Sequence, residues 1–251
     1  MPASLAQEET DLNGLEVLDK SIPVRIMRSK EGRLSGNRAV QETLGMILGG
    51  DVYPAWKITA EERGKPYFSE HADAAFSVSD SAGFTAVCFD RTRIGLDLQE
   101  HRRRRSDTRD RLFTRCRSIA ARAFHEQENA CLNEVSDTDR DAFIRRFFRI
   151  WSAKEAYVKY TGDGIDDRFS RFSVLPGSRL IFSESVRSVS AAGKRTELTE
   201  TVPLFEEIGT TAWNALGKWF FCADLYSAEV KLRFSLCICA EVEKPVIFRS
   251  G

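Results

Sequence analysis

The stretch from Asp137 to Ile165, DTDRDAFIRRFFRIWSAKEAYVKYTGDGI, limits what this chain can fold into more than any other. Phe143, Phe147, Ile150, Trp151, Tyr157 and Val158 recur at helical spacing, which predicts one long helix with an apolar stripe. Trp151, Glu155 and Lys159 stack at i, i+4 and i+8, so an acid and a base lie along the edge of that stripe. Charged groups on a face that must be buried mark the place where chemistry is expected.

With 251 residues, 42% of them hydrophobic and 29% charged, the chain can build one large domain or two smaller ones with a sizeable core. Basic and acidic residues balance at 37 each, so net charge gives no general case for nucleic acid or an anionic surface. There is no apolar run of the roughly 18 residues that a membrane span needs. The start, MPASLAQEETDLNGLEVLDK, is polar and acidic where a secretion signal is basic and then apolar, so the chain reads as soluble and cytoplasmic. The six cysteines lack paired metal-ligand spacing. Cys237 and Cys239, in FSLCICA, should share one buried face of a strand.

In chain order, residues 1–20 read as a loose leader. Val24 to Lys30 suits a short strand, and NRAVQETLGMILGG a helix closed by Gly49 and Gly50. Lys30, Arg33 and Arg38 lie close together near Gly32 and Gly36, either as a solvated basic turn or as a place where backbone and cations approach a phosphate. Lys57 to Thr59 and Ala74 to Ser79 look extended, GKPYF is a break between them, and Ser79 to Gly83 is a turn. Phe84 to Phe89 and Ile94 to Leu98 are expected to pair as a hairpin around the DRT turn. On the second of these strands Asp97 and Gln99 share one face, with Leu96, Leu98 and Glu100 on the other. A buried Asp97 requires a partner.

HRRRRSDTRDR is the best candidate for a boundary, either a solvated loop or a docking patch for an acidic partner. Helices are expected over Asp110 to Ala123, over HEQENACLNEV and over Asp137 to Ile165. RFSVLPG, RLIFSES, KWFFCADL and KLRFSLCICAEV then look strand-like. The expectation is an α+β fold in which two similar subdomains, residues 1–109 and 110–251, are related by a pseudo-two-fold axis, each a small antiparallel sheet packed with helices.

Four segments in this order resemble the Sfp-type 4′-phosphopantetheinyl transferase family: GKPYF at 64–68, FSVSDSAG at 76–83, IGLDLQ at 94–99 and FFRIWSAKEAYVKYTGDGI at 147–165. Together they span the middle of the chain. The resemblance implies transfer of the 4′-phosphopantetheine arm of coenzyme A to a serine of an acyl or peptidyl carrier protein, with release of 3′,5′-ADP. Such a site has to neutralise a diphosphate, hold Mg2+ and take up a proton.

Carried over residue by residue, the resemblance implies Asp97 and Glu155 as metal ligands and Glu155 as the proton acceptor. It implies Lys159 at the diphosphate, Lys30, Arg33 and Arg38 as a clamp for the 3′-phosphate side, and Lys65 and Ser79 near the nucleotide. Two positions depart from the family pattern. Asp80 stands where a histidine is usual, either as a cofactor-binding position whose charge needs a cation beside the diphosphate or as an Asx-turn residue, and Gln99 stands where many members carry a second acid, which leaves two carboxylates and an amide oxygen for the metal. Glu100 faces away and does not replace it. Arg102 to Arg105, Arg145, Arg146 and Arg149 are candidate contacts for an acidic carrier protein. The expected molecule is a monomer with no nucleic-acid partner, because the arginine run lacks interleaved aromatics. A homologue that keeps the fold and binds coenzyme A or carrier protein without catalysis is the alternative.

Overall fold

A computed structural model describes residues 15–28, 36–49, 56–101, 108–136, 138–164, 167–176 and 205–249. The described residues form an α+β molecule of four layers: helix, sheet, sheet, helix. Burial on both faces of the strands explains why they read as apolar runs rather than as alternations. In β5 (Phe84–Asp90), Phe84, Ala86 and Cys88 enter a core between the sheets, while Val87 and Phe89 enter a separate core beneath an outer helix.

The first sheet has the order β10 (Val246–Arg249), β1 (Ile22–Arg28), β5, β4 (Ala75–Ser81). Only the β10–β1 pair is parallel. Its outer face is covered by α1 (Val17–Lys20), α2 (Gly36–Leu48) and a two-stranded hairpin of β2 (Ile58–Ala60) and β3 (Pro66–Phe68). The predicted leader is therefore structured at its end, because Leu15 and Leu18 are buried in this core. The glycine stop of the second helix is confirmed at Gly49, whose φ of 77° is a left-handed value that glycine adopts without strain.

The second sheet, β6 (Ile94–Glu100), β9 (Leu232–Ala240), β8 (Lys218–Ser227) and β7 (Glu206–Ala215), is antiparallel throughout. Cys237 and Cys239 do share a buried face, toward the helical layer of α3 (Arg109–Ala123), α4 (Glu126–Asn133) and α5 (Arg140–Thr161). No helix among the described residues is long and apolar enough to cross a membrane.

Two local expectations are corrected. Phe84–Phe89 and Ile94–Leu98 do not form a hairpin: β5 pairs with β1 and β4, whereas β6 crosses to β9 in the other sheet. Residues 171–176, part of RFSVLPG, are irregular, and their backbone groups are satisfied by side chains instead. The Val174 N–H donates to Glu128 Oε1 (2.9 Å) and its carbonyl accepts from Trp213 Nε1 (2.7 Å). RLIFSES lies outside the described residues.

The strands thus exchange reciprocally. β6 completes the sheet made by residues 206–240, and β10 completes the sheet made by residues 22–90. Where the two sheets meet, β4 lies along the free edge of β6. Ser77, Ser79 and Ser81 accept from the backbone N–H groups of Leu96, Leu98 and Glu100 at 2.9, 3.1 and 2.9 Å. An edge strand leaves every second N–H without a ladder partner; here three serine hydroxyls at alternate positions take that place.

Candidate active site

The site is built where β6 crosses α5. At Gly95 the two backbones are so close that a Cβ would stand 2.5 Å from Tyr160 N, 3.0 Å from Tyr160 Cα and nearer still to the Ala156 carbonyl. Only glycine fits. The crossing brings Asp97, two residues along the strand, against the helix face carrying Glu155 and Lys159.

The end of α5 is held at the same place. Its C-cap, Gly162, has φ 77°, and the Gly162 N–H donates to Val158 O (2.9 Å). The last carbonyls of a helix have no intrahelical donor. Lys65 Nζ donates to the carbonyl of Lys159 and to that of Ile94 (2.8 Å). Arg93 donates to the carbonyls of Tyr160 (2.6 Å) and Thr161 (3.1 Å) and pairs with Glu61 (2.5 Å). Burial, with Arg93 nearby, pulls the Lys65 ammonium down to a pKa of about 8.

Asp97 is 5% exposed. Its Oδ1 accepts from Lys159 Nζ (2.9 Å) and Ser79 Oγ (3.1 Å), while its Oδ2 is buried with no hydrogen-bond partner. A buried carboxylate oxygen left bare costs free energy unless a cation or donor reaches it. Ser79 is fully used: it accepts from Leu98 N and Lys159 Nζ (2.8 Å), and its single proton goes to Asp97. Lys159 remains 31% exposed, so its ammonium faces both Asp97 and solvent. Glu155 is 8% exposed, and burial, reinforced by the Asp97 charge, pushes its carboxyl up to about 7 although Lys159 works the other way.

Sequence reasoning therefore brings Asp97, Glu155, Lys159 and Ser79 to one locus. Gln99 lies beyond Asp97 on β6, and its amide donates to the Glu100 carbonyl (3.2 Å). Asp80 is exposed and accepts from Thr85 Oγ1, its cross-strand neighbour. Arg38 forms an i, i+4 pair with Glu42 (2.8 Å) on the exposed side of α2. Lys30, Arg33 and Arg102 to Arg105 lie outside the described residues. Among the described residues no group of three or more His, Cys, Asp or Glu gathers as a metal centre, so the chain offers the pair Asp97 and Glu155.

The expected surface arginines of α5 are partly committed inside the molecule. Arg149 pairs with buried Asp224, which also accepts from Ser235 Oγ (3.3 Å); Ser235 in turn bonds His101 Nε2 (2.8 Å). Arg146 donates to the Cys131 carbonyl (2.7 Å). Sequence reasoning also missed Lys154, beside Glu155. Its ammonium is buried against Glu128 (2.9 Å), donates to Phe172 O (2.7 Å) and lies 4.0 Å from the Phe172 ring centre. The signal was available: an (i, i+1) Lys–Glu pair cannot place both charges on one helix face.

Residues 93–196 match the family model of the 4′-phosphopantetheinyl transferase superfamily. The chain is 35% identical over 136 residues to the 4′-phosphopantetheinyl transferase HetI of Nostoc sp. (strain PCC 7120), covering 52% of each protein. It is 27% identical over 118 residues to the 4′-phosphopantetheinyl transferase Sfp of Bacillus subtilis (strain 168), covering 47% of this chain and 46% of that one. A third relative, the 4′-phosphopantetheinyl transferase ffp of Bacillus subtilis, is 27% identical over 182 residues, covering 69% and 73%. The chain thus spans about half the length of the first two of these relatives.

Proposed function

We propose, on the premise that the chain belongs to the 4′-phosphopantetheinyl transferase superfamily, that it moves the 4′-phosphopantetheine group of coenzyme A onto a serine hydroxyl of an apo acyl or peptidyl carrier protein and releases 3′,5′-ADP. The observation that carries this reading is the meeting of Asp97 and Glu155 at the Gly95 crossing, with Asp97 Oδ2 bare and Lys159 beside it.

Mg2+ suits this donor set. It takes hard oxygen ligands, commonly one or two carboxylates completed by water and substrate phosphate. Asp97 and Glu155 would hold it, with Gln99 as a neutral oxygen further along the strand. When bound, the ion supplies charge neutralisation to the diphosphate of coenzyme A. The remaining roles belong to the chain. Lys159, held at one end by Asp97 and Ser79, donates to a diphosphate oxygen. Arg38, with Lys30 and Arg33, takes the 3′-phosphate side. Glu155 accepts the serine proton as that hydroxyl attacks the β-phosphorus and the bond to 3′,5′-ADP breaks.

This reading takes the molecule as a cytoplasmic monomer. The two reciprocally exchanged sheets support a pseudo-two-fold arrangement of the halves meeting near residue 109, with the nucleotide in the cleft between them. Arg102 to Arg105, with Arg145, Arg146 and Arg149 on α5, are the proposed contacts for an acidic carrier.

Incubation with an apo carrier protein, coenzyme A and Mg2+ tests the function. The expected result is a phosphopantetheine mass added to the carrier, lost in D97N and E155Q variants that remain folded. Binding of coenzyme A or carrier with no added mass would establish the non-catalytic alternative and refute transfer.

A further inference from the structure

The structure assigns Lys65 a positioning role, in which one ammonium pins the end of α5 to β6 and so fixes Lys159 relative to Asp97. This rests on the reading that Asp97, Glu155 and Lys159 form the transfer site.

Three carbonyls at the end of α5, those of Lys159, Tyr160 and Thr161, follow the last one capped by Gly162. Arg93 takes two of them and Lys65 takes the third. The same Lys65 nitrogen also reaches the carbonyl of Ile94, the residue before Gly95. It therefore bridges the helix and the strand at their closest approach, and two of its three protons are spent doing so. Residue Lys159 is held by its carbonyl on one side and by its ammonium, on Ser79 and Asp97, on the other. Asp97 is three residues beyond Ile94 on a strand with no freedom to slide, because its outer N–H groups are taken by the β4 serines.

Four of the five residues of GKPYF have a place in this clasp. Gly64, at φ 89°, makes the turn, with its N–H on Glu61 O (2.9 Å). Lys65 accepts from Glu61 N (2.8 Å) through its carbonyl while its side chain reaches the crossing. Pro66 opens a short strand in a two-stranded hairpin, where a missing N–H is tolerated. Phe68 is buried against Trp56 and Phe76, which anchors the hairpin to the first sheet. Glu61, at the hairpin's other side, grips Arg93, the second cation on the helix end.

The test compares wild type with Lys65→Met and the milder Lys65→Gln, which keeps a donor but reaches at most one carbonyl. Three quantities are read: Mn2+ affinity in the absence of coenzyme A, hydrogen exchange of amides 157–162, and kcat against KM for coenzyme A. The expected result is faster exchange at the helix end, weaker Mn2+ binding and a kcat about tenfold to a hundredfold lower, the scale of an ångström-sized misplacement, with KM changed less than about threefold. K65Q should fall between wild type and K65M; should K65M fail to fold, K65Q is read alone. A rise of about tenfold or more in KM, with Mn2+ binding and exchange unchanged, would make Lys65 a nucleotide ligand and overturn the assignment. If wild type neither binds Mn2+ nor transfers, the transfer reading has failed; exchange at 157–162 then still decides the pin, accelerated by K65M if it holds and unchanged if it does not.

Discussion

Replacing Gly95 by alanine adds one methyl group at the place where the site is assembled. The new Cβ would stand 2.5 Å from Tyr160 N and 3.0 Å from Tyr160 Cα, against an ordinary contact that begins at 3.4 Å. The strand and helix would have to part by about 0.9 Å to clear the nitrogen, and by more to clear the Ala156 carbonyl. Both obstacles are helix backbone, so no side-chain rotation relieves them. Overpacking of this kind costs about 1–3 kcal/mol and occasionally more, and the Lys65 and Arg93 bonds to the helix end would lengthen with it. For a chain of this length that cost corresponds to a melting temperature lower by about 3–10 °C. Catalysis should suffer more, because the separation occurs between Asp97 and Glu155, and an ångström there costs about a hundredfold in rate. Thermal unfolding followed by circular dichroism and a mass-resolved transfer assay measure the two effects. Gly209→Ala on β7, where nothing lies within 4 Å of the added methyl, is the control and should change neither. A G95A protein that melts within about 2 °C of wild type and transfers at more than half its rate would refute the close-crossing argument.

Glu155→Gln should abolish transfer yet stabilise the fold above neutrality. The folded carboxyl titrates at about 7 against an ordinary 4.5, so the native state binds the extra proton in that interval. The contribution of Glu155 to stability is therefore most favourable below pH 4.5, falls as pH rises to 7 and is level above it. The difference amounts to about 3 kcal/mol at 1.36 kcal/mol per pH unit. Urea titrations without divalent cations should show E155Q gaining stability over wild type between pH 5 and pH 8; equal differences at both pH values would contradict the burial argument. The Lys154–Glu128 pair supports the helix differently. Lys154→Met leaves a buried carboxylate uncompensated and should cost about 3–5 kcal/mol, of which the further change Glu128→Gln should restore a large part. Additive losses in the double variant would show that the two charges do not depend on each other.

The long helix was legible because its signals are local. The apolar period lies wholly within the segment, and α5 begins and ends within four residues of the expected limits. The alternation that puts Asp97 and Gln99 on one strand face was equally readable. What failed was the choice of partners. β5 and β6 are separated by three residues and look like hairpin arms, yet both are buried on both faces, so neither carries an alternation that says which sheet it joins. β7 mixes polar and apolar residues, and β10 has four residues whose pairing is decided by β1, more than two hundred positions earlier. Arg149 reads as a surface charge until Asp224, 75 residues away, is seen to take it. The role of Gly95 was hidden for the same reason: a glycine two residues before an aspartate is visible, but Ala156 and Tyr160, which leave it no room, lie more than 60 residues downstream.

The reciprocal exchange of β6 and β10 has a consequence during translation. As the chain leaves the ribosome, β1 can find β5 early but gains its other neighbour only when residues 246–249 emerge. Until β9 is made, β6 is an apolar strand without its partner. The first sheet cannot be completed before residues 246–249 are made, nor the second before residue 240, so a nascent product halted near residue 110 should engage chaperones instead of maturing as an autonomous unit.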